Sequence, residues 1–90
     1  MLKTKSYKFY SDSGHGWVAV KIDELINLGI ADKISRYSYR KNQTAYLEED
    51  GDMTLFVRAK MARGEIVTVK EKHSDRSVIR SYSSYRGSSI

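Results

Sequence analysis

The chain has 90 residues, which is enough for one domain and too short for a second domain or a deep, lidded active-site cleft. It has no cysteine, and this excludes disulfides, iron–sulfur clusters and thiolate zinc sites. A formal charge of +5 fits an anionic partner as well as an ordinary solvated surface. The charged N-terminus and the absence of a long apolar run predict a soluble, cytoplasmic protein that does not contact a membrane.

The first third of the chain predicts two strands and a short helix. KSYKFY (5–10) and WVAVKI (17–22) alternate apolar and polar residues, which is typical of strands. The turn-forming residues of SDSGHG (11–16) join them as a hairpin. DELINL (23–28) begins with two acids and is followed by Gly29, and this pattern predicts a short helix.

The middle of the chain predicts a second hairpin and the main helix. ISRYSYR (34–40) and TAYLEE (44–49) alternate and are separated by the turn residues KNQ. In MTLFVRAKMAR (53–63), apolar residues recur near helical spacing. Asp50 or Asp52 is expected to cap this helix.

The last third completes the predicted fold. EIVTVKEK (65–72) and SVIRSY (77–82) are strand-like, and we expect them to pair across HSDR. The order ββαββαββ predicts an α+β domain over residues 1–82, with an antiparallel sheet of about five to six strands, one main helix and one short helix. Residues 83–90, rich in Ser, Tyr and Arg, are expected to form a loose tail.

Within roughly residues 7–82, four segments follow one another in this order: YSDSGHGWVAV, LGIADKISRYSY, YLEEDGD and SDRSVIRSY. In them the chain resembles a family of small proteins of bacteriophages and related mobile elements. At position 13 this chain has a serine where that family often has a proline. At position 51 it has a glycine where the family often has another residue. The resemblance implies an accessory protein that acts inside a bacterial host cell by binding host machinery or blocking a defence system. It implies no catalytic residue.

His15 lies between two glycines and close to Asp12 and Ser13. It is a candidate general base, with Asp12 to orient it and Ser13 as the nucleophile. Neighbours within one turn do not easily adopt that geometry, however, so the favoured interpretation is a turn that leads Trp17 into the core or onto a surface patch. A binding contact by His15 or Trp17 is the remaining alternative.

The segment EEDGD contains a candidate acidic contact patch, whose members are Glu48, Glu49, Asp50 and Asp52. It lacks the spacing of a calcium-binding loop, and acids at the start of a helix explain it without a metal. Two histidines without cysteine make zinc improbable, and His73 in KEKHSDRS is interpreted as part of a polar turn. We expect no metal and no cofactor.

Seven tyrosines, several of them near arginines, indicate a binding surface. Rings interleaved with guanidinium groups bind single-stranded nucleic acid, but tyrosines are also common in strands and at protein interfaces. The candidate binding residues are His15, Trp17, Arg36, Tyr37, Tyr39, Arg40, Arg76, Arg80 and Tyr82.

Together these observations favour a protein that is not an enzyme. The expected function is that of a phage or mobile-element accessory protein that binds and inhibits or redirects a host or anti-phage defence protein. The alternative is a small nucleic-acid-binding protein that uses the Arg/Tyr-rich strands and a basic C-terminus. The acidic segment 48–52 favours the protein partner because it would repel a phosphate backbone. A homodimer formed through an exposed strand edge is a further option.

Overall fold

The structure is a computed structural model and describes residues 2–87. Its helices and strands are β1 (Lys3–Ser11), β2 (Gly16–Lys21), α1 (Ile22–Asn27), β3 (Tyr39–Lys41), β4 (Thr44–Glu48), α2 (Asp52–Ala62), β5 (Glu65–His73) and β6 (Ser83–Ser84). Short 3₁₀ turns occupy Ala31–Lys33 and Val78–Ser81. The chain is thus the α+β domain predicted from the sequence, with one main helix and one short helix.

The six strands form a single sheet in the order β5-β1-β2-β4-β3-β6. Every neighbouring pair is antiparallel except β1 and β5, which run parallel over their full length. The exception follows from α2, which carries the chain from β4 back across the sheet to its far edge beside β1. The expected pairing of residues 65–72 with residues 77–82 is therefore wrong.

The core lies between one face of the sheet and the helices, and we call this side of the sheet the helix face. The strand residues buried there alternate as the sequence predicts, and they are Tyr7, Val18, Val20, Ala45 and Leu47. From α2, the fully buried Phe56 packs against the Tyr7 ring in a T-shaped arrangement, with ring centroids 5.1 Å apart. The helix ends near Gly64, whose φ of +79° gives the left-handed backbone that glycine tolerates best.

Residues 34–38 form turns rather than the predicted strand, of which only Tyr39–Lys41 exists. The cause is the carboxylate of Asp52, which accepts hydrogen bonds from the backbone N–H of Ser35 at 3.0 Å and from its hydroxyl at 2.7 Å. The hydroxyl of the fully buried Ser38 donates to the same carboxylate at 2.5 Å. These side-chain bonds give the backbone an alternative to a strand ladder.

Residues 77–82 are also not a strand. The hydroxyl of Ser77 accepts a hydrogen bond from the backbone N–H of Ile79, and this contact starts the 3₁₀ turn. The turn buries Ile79 to 2% exposure. The alternation of SVIRSY thus reflects a turn that lies against the domain.

The tail predicted to be loose is folded as far as the structure describes it. Ser83 and Ser84 pair with β3, and Tyr85 is 1% exposed, with its hydroxyl donating to the carbonyl of Ala31. The prediction is therefore wrong for residues 83–87. Residues 88–90 lie outside the described part of the chain.

The cap of α2 comes from Glu48 and not from Asp50 or Asp52. Its carboxylate accepts from the backbone N–H groups of Asp50, Gly51 and Asp52 at 2.9, 2.7 and 2.8 Å. Burial alone would raise the pKa of Glu48, but these three bonds outweigh it and leave the pKa lowered. Glu48 is therefore held as a carboxylate by the N-terminus of the main helix.

Candidate functional site

The face of the sheet opposite the helices, here called the open face, carries a row of three tyrosines. The ring centroids of Tyr10 and Tyr46 are 6.1 Å apart, and those of Tyr46 and Tyr82 are 5.2 Å apart. The short side chain of Ala19, the cross-strand partner of Tyr46, leaves room for the rings to approach. All three tyrosines are half-buried, and we call them the tyrosine row.

Five exposed lysines lie on the same face, because residues paired across neighbouring strands share one side of a sheet. They are Lys8, Lys21, Lys41, Lys70 and Lys72. Lys72 pairs with Tyr10, and the Lys41 Nζ lies 4.9 Å from the centroid of the Tyr82 ring. Within residues 2–87, no salt bridge involves any of the five.

Two shallow hollows open on this face beside the tyrosine row. The first, of about 360 Å³, forms because β1 and β2 pair over only three residues each and then diverge, and it is lined chiefly by Lys8, Lys21, Tyr10 and Tyr46. The second, of about 300 Å³, lies beside the 77–82 turn and includes Arg76. The lining of both hollows therefore includes aromatic and basic side chains.

A third hollow forms where four separate segments of the sequence meet, and we call it the aromatic pocket. It has a volume of about 370 Å³ and is lined by His15, Trp17, Tyr37, Tyr39, Glu48, Asp50 and Arg80. Most of the residues singled out from the sequence as binding candidates are thus brought together at one place.

Arg80 is fixed within this pocket by Asp12, from the turn between β1 and β2. Its Nε donates to Oδ2 at 2.5 Å and its Nη2 donates to Oδ1 at 3.0 Å. The Arg80 hydrogen bond, helped by the backbone N–H groups of Gly14 and His15, holds the pKa of Asp12 well below its usual range. The same Nη2 lies 2.8 Å from Nδ1 of His15, and because a guanidinium can only donate, the ring nitrogen is the acceptor.

Trp17 forms the floor of the pocket and is only 2% exposed. The imidazole of His15 stacks on it with ring centroids 6.0 Å apart, and the guanidinium of Arg80 lies 5.4 Å from its centroid. Trp17 therefore cannot act as an exposed anchor, although the sequence left that option open. Tyr37, which is 75% exposed, is the accessible ring.

The arrangement around His15 is that of a stabilised turn. Asp12 is bonded to Arg80 and to two backbone N–H groups, and no hydrogen bond among the described residues joins Ser13 to His15. The geometry therefore does not assemble the nucleophile, base and orienting group that the sequence raised as an alternative.

Several candidate residues lie outside the tyrosine row and the aromatic pocket. Arg36 is exposed in a turn. Arg40 pairs with the buried Ala45, and its Nε donates to the carbonyl of Asn42 at the edge of the open face, where it lines a hollow with Lys41 and Tyr82. Asp52 is buried and does not belong to an acidic contact patch, whereas Glu49 remains exposed in the turn after β4.

A serine–histidine contact that the sequence did not reveal closes the end of the β1–β5 pair. The hydroxyl of Ser11 donates to the carboxylate of Glu71 at 2.6 Å, and its oxygen lies 3.0 Å from Nδ1 of His73. Because the single hydroxyl hydrogen is directed to Glu71, His73 acts as the donor and does not activate the serine. Ser11 belongs to β1, and Glu71 and His73 belong to β5, so the cluster links these two strands. Ser11 is only 8% exposed.

Sequence reasoning included Lys70 and Lys72 in the basic C-terminus, but it did not place Tyr10, Tyr46 and the five lysines together on one face. Each of these residues except Lys41 lies at an alternate position of a predicted strand, but the sequence does not show which strands lie side by side. Among residues 2–87 there is no group of three or more acidic, histidine or cysteine side chains that could hold a metal ion.

No helix in the described part of the chain is long and apolar enough to cross a membrane. Comparisons with known protein families, with curated proteins and with solved structures find no match.

Proposed function

We propose that the chain is a non-catalytic binding protein whose open face binds single-stranded nucleic acid. The observation that carries the proposal is the tyrosine row together with five exposed lysines on one side of the sheet, none of which forms a salt bridge within residues 2–87. Aromatic rings stack on bases of any sequence, and lysines neutralise phosphates. A duplex fits less well, because its bases are already stacked on each other and cannot reach the rings.

The position of the acidic segment supports this function, although the sequence alone favoured a protein partner. Glu48 binds the N-terminus of α2, and Asp52 is buried against the 35–38 loop. Glu49 and Asp50 lie in the turn that follows β4. The acids expected to repel a phosphate backbone therefore lie at one end of β4, whereas four of the five lysines lie farther along the strands. Lys72 shares a cross-strand row with Glu48 and is three strands away from it.

Charge reversal on the open face tests the proposal. A chain carrying Lys8→Glu and Lys21→Glu should bind a fluorescent oligothymidine of about 12 nucleotides at least about tenfold more weakly, measured by fluorescence anisotropy. The matched control carries Lys33→Glu and Arg58→Glu, which are also exposed and change the net charge by the same amount. The control should bind within about twofold of the original chain, and equal losses in both chains would contradict the proposal.

Two further measurements separate stacking from simple attraction of an anion. Three to five neutralised phosphates predict that log K falls with log salt with a slope of about −2 to −3.5. Tyr82→Leu should weaken oligothymidine binding about 5- to 150-fold, since each stacked base contributes about 1–3 kcal/mol. The same change should leave the affinity for heparin, which has no bases, unaltered. An equal loss of affinity for oligothymidine and for heparin would mean that the open face attracts anions without stacking on bases.

We also propose a second function, which a different observation supports. The four segments that resemble the phage family meet at the aromatic pocket, where Tyr37 is 75% exposed. An exposed aromatic beside a concave site is typical of a protein-binding anchor. In this function the chain is a phage or mobile-element accessory protein in the cytoplasm of a bacterial host, and the pocket binds a host or anti-phage defence protein.

A pull-down from host lysate tests the second function. We expect the chain to retain a protein after nuclease treatment, and the variant Tyr37→Ala to lose it. Retention of the same proteins by both chains would show that the pocket is not the binding site.

A further inference from the structure

From the charge and composition of the aromatic pocket, we infer that it binds the cationic side chain of an arginine or lysine from a protein partner. The inference rests on the second function proposed above and names the chemistry that the partner must present. It assigns to the pocket a ligand of opposite charge to the ligand of the open face.

The walls of the pocket are suited to a cation. The faces of tyrosine and tryptophan rings attract ammonium and guanidinium groups. Tyr37 and Tyr39 line the pocket together with the buried Trp17, and Tyr39 contacts Trp17 in a T-shaped arrangement with ring centroids 6.1 Å apart. The chain already places one cation against this floor, because the Arg80 guanidinium lies 5.4 Å from the Trp17 ring centroid. The contact with Tyr37 is left for a ligand, since that ring is 75% exposed.

The charges around the pocket also favour a cation. Asp12 neutralises Arg80 through two hydrogen bonds, so the arginine contributes little net charge. The other ionised groups of the lining are Glu48 and Asp50, both negative. Glu48 already accepts three backbone hydrogen bonds, whereas Asp50 is exposed at the rim. The carboxylate of Asp50 is thus the group that can accept from a guanidinium or ammonium.

The volume and position of the pocket set the size of the ligand. About 370 Å³ lies at the lower end of the range for binding sites, roughly 300–1,000 Å³, and fits one long side chain rather than a folded segment. A phosphate at the same place would face two carboxylates. The pocket therefore selects against the ligand that the open face attracts.

A titration with a minimal ligand tests the inference. N-acetyl-arginine methylamide is added to the labelled full chain, and NMR follows the indole N–H of Trp17 and the backbone N–H groups of His15 and Tyr37. We expect concentration-dependent shifts confined to the pocket. N-acetyl-leucine methylamide, which has no charge, and inorganic phosphate, which is an anion, should leave these signals unmoved.

Two variants assign the effect to the pocket. Tyr37→Ala should weaken binding of the arginine probe about two- to fivefold, the contribution of one exposed cation–π contact, and Asp50→Asn should weaken it to a similar extent. Val78→Ala is the matched control, because Val78 is also a large exposed apolar residue, at 64%, and lies outside the pocket. It should leave the affinity unchanged.

The outcomes distinguish a failure of this inference from a failure of the second function, on which it rests. Absence of shifts, equal shifts with the leucine probe, or shifts with phosphate would overturn the inference. Binding of the arginine probe with no protein retained in the pull-down would support the pocket's chemistry and reject the host-protein function. A chain with Lys8→Glu and Lys21→Glu that loses oligothymidine should still bind the arginine probe.

Discussion

Replacing Asp52 by alanine should destabilise the fold and release the 35–38 loop that carries Tyr37. The change leaves the backbone N–H of Ser35 and the hydroxyl of the fully buried Ser38 without their acceptor. A buried donor without a partner costs about 1–3 kcal/mol. The Ser38 hydroxyl carries this full cost and the half-buried Ser35 N–H a smaller one, so the free energy of unfolding falls by about 2–5 kcal/mol. That is a large part of the roughly 5–15 kcal/mol by which domains of this kind are stable.

Urea unfolding, followed by the fluorescence of Trp17, measures the loss, since this is the only tryptophan in the chain. The matched control is Asp50→Ala, which removes an exposed carboxylate two residues away and should change the stability by less than about 0.5 kcal/mol. If Asp52→Ala unfolds at the same urea concentration as this control, the hydrogen bonds of the loop do not stabilise the fold and the reasoning is refuted.

Two further predictions concern the core and the first hairpin. Burial and the Glu24 carboxylate raise the pKa of Tyr7 from 10.0 to about 12, so the stability that depends on the neutral phenol should fall as the pH rises between these values. Tyr7→Phe should make urea midpoints less dependent on pH in this range, and an unchanged dependence would contradict the assignment. Gly16→Ala should lower stability by about 1–3 kcal/mol, because its Cβ would lie 2.2 Å from the Phe9 ring. Gly14→Ala is the control, because the nearest atom to its Cβ would be 3.4 Å away. Urea unfolding measures both variants, and equal losses of stability would argue against a clash.

Local patterns were sufficient to predict β1, β2, β4, α2 and β5. Alternation and helical spacing are properties of neighbouring residues, so these elements can be recognised without knowing what they pack against. The buried alternation of Val18 and Val20, for example, is visible in the sequence and is found on the helix face.

The partner of β5 could not be predicted in this way. Whether its neighbour is β1 or the segment that follows depends on the path of α2 across the sheet, and the residues of β5 do not encode that path. The alternation of residues 77–82 was misleading for a related reason. A 3₁₀ turn that starts at Ser77 and buries Ile79 shows an alternating pattern over so few residues.

The aromatic pocket was partly predictable. The sequence named His15, Tyr37, Tyr39 and Arg80, but nothing in it shows that Arg80 is bound by Asp12, which is 68 positions away. For that reason Arg80 was expected to have a guanidinium group that is free to bind a ligand. The lysines of the open face come from four different strands. They were overlooked because only the pairing register shows that they share one side of the sheet.

The distribution of charge on the sheet determines how a single strand can lie on the open face. The tyrosine row runs across the strands, with Lys72 at its β5 end and Lys41 beside its other end. A path straight across the sheet from Lys72 and Tyr10 leads to Trp17 and Glu48, which follow as cross-strand partners, and the Glu48 carboxylate would repel phosphates there. A bound strand therefore turns from Tyr10 to Tyr46 and Tyr82, and this path borders the aromatic pocket because Tyr39 pairs with Tyr46. The two proposed sites are thus neighbours on one face of the sheet.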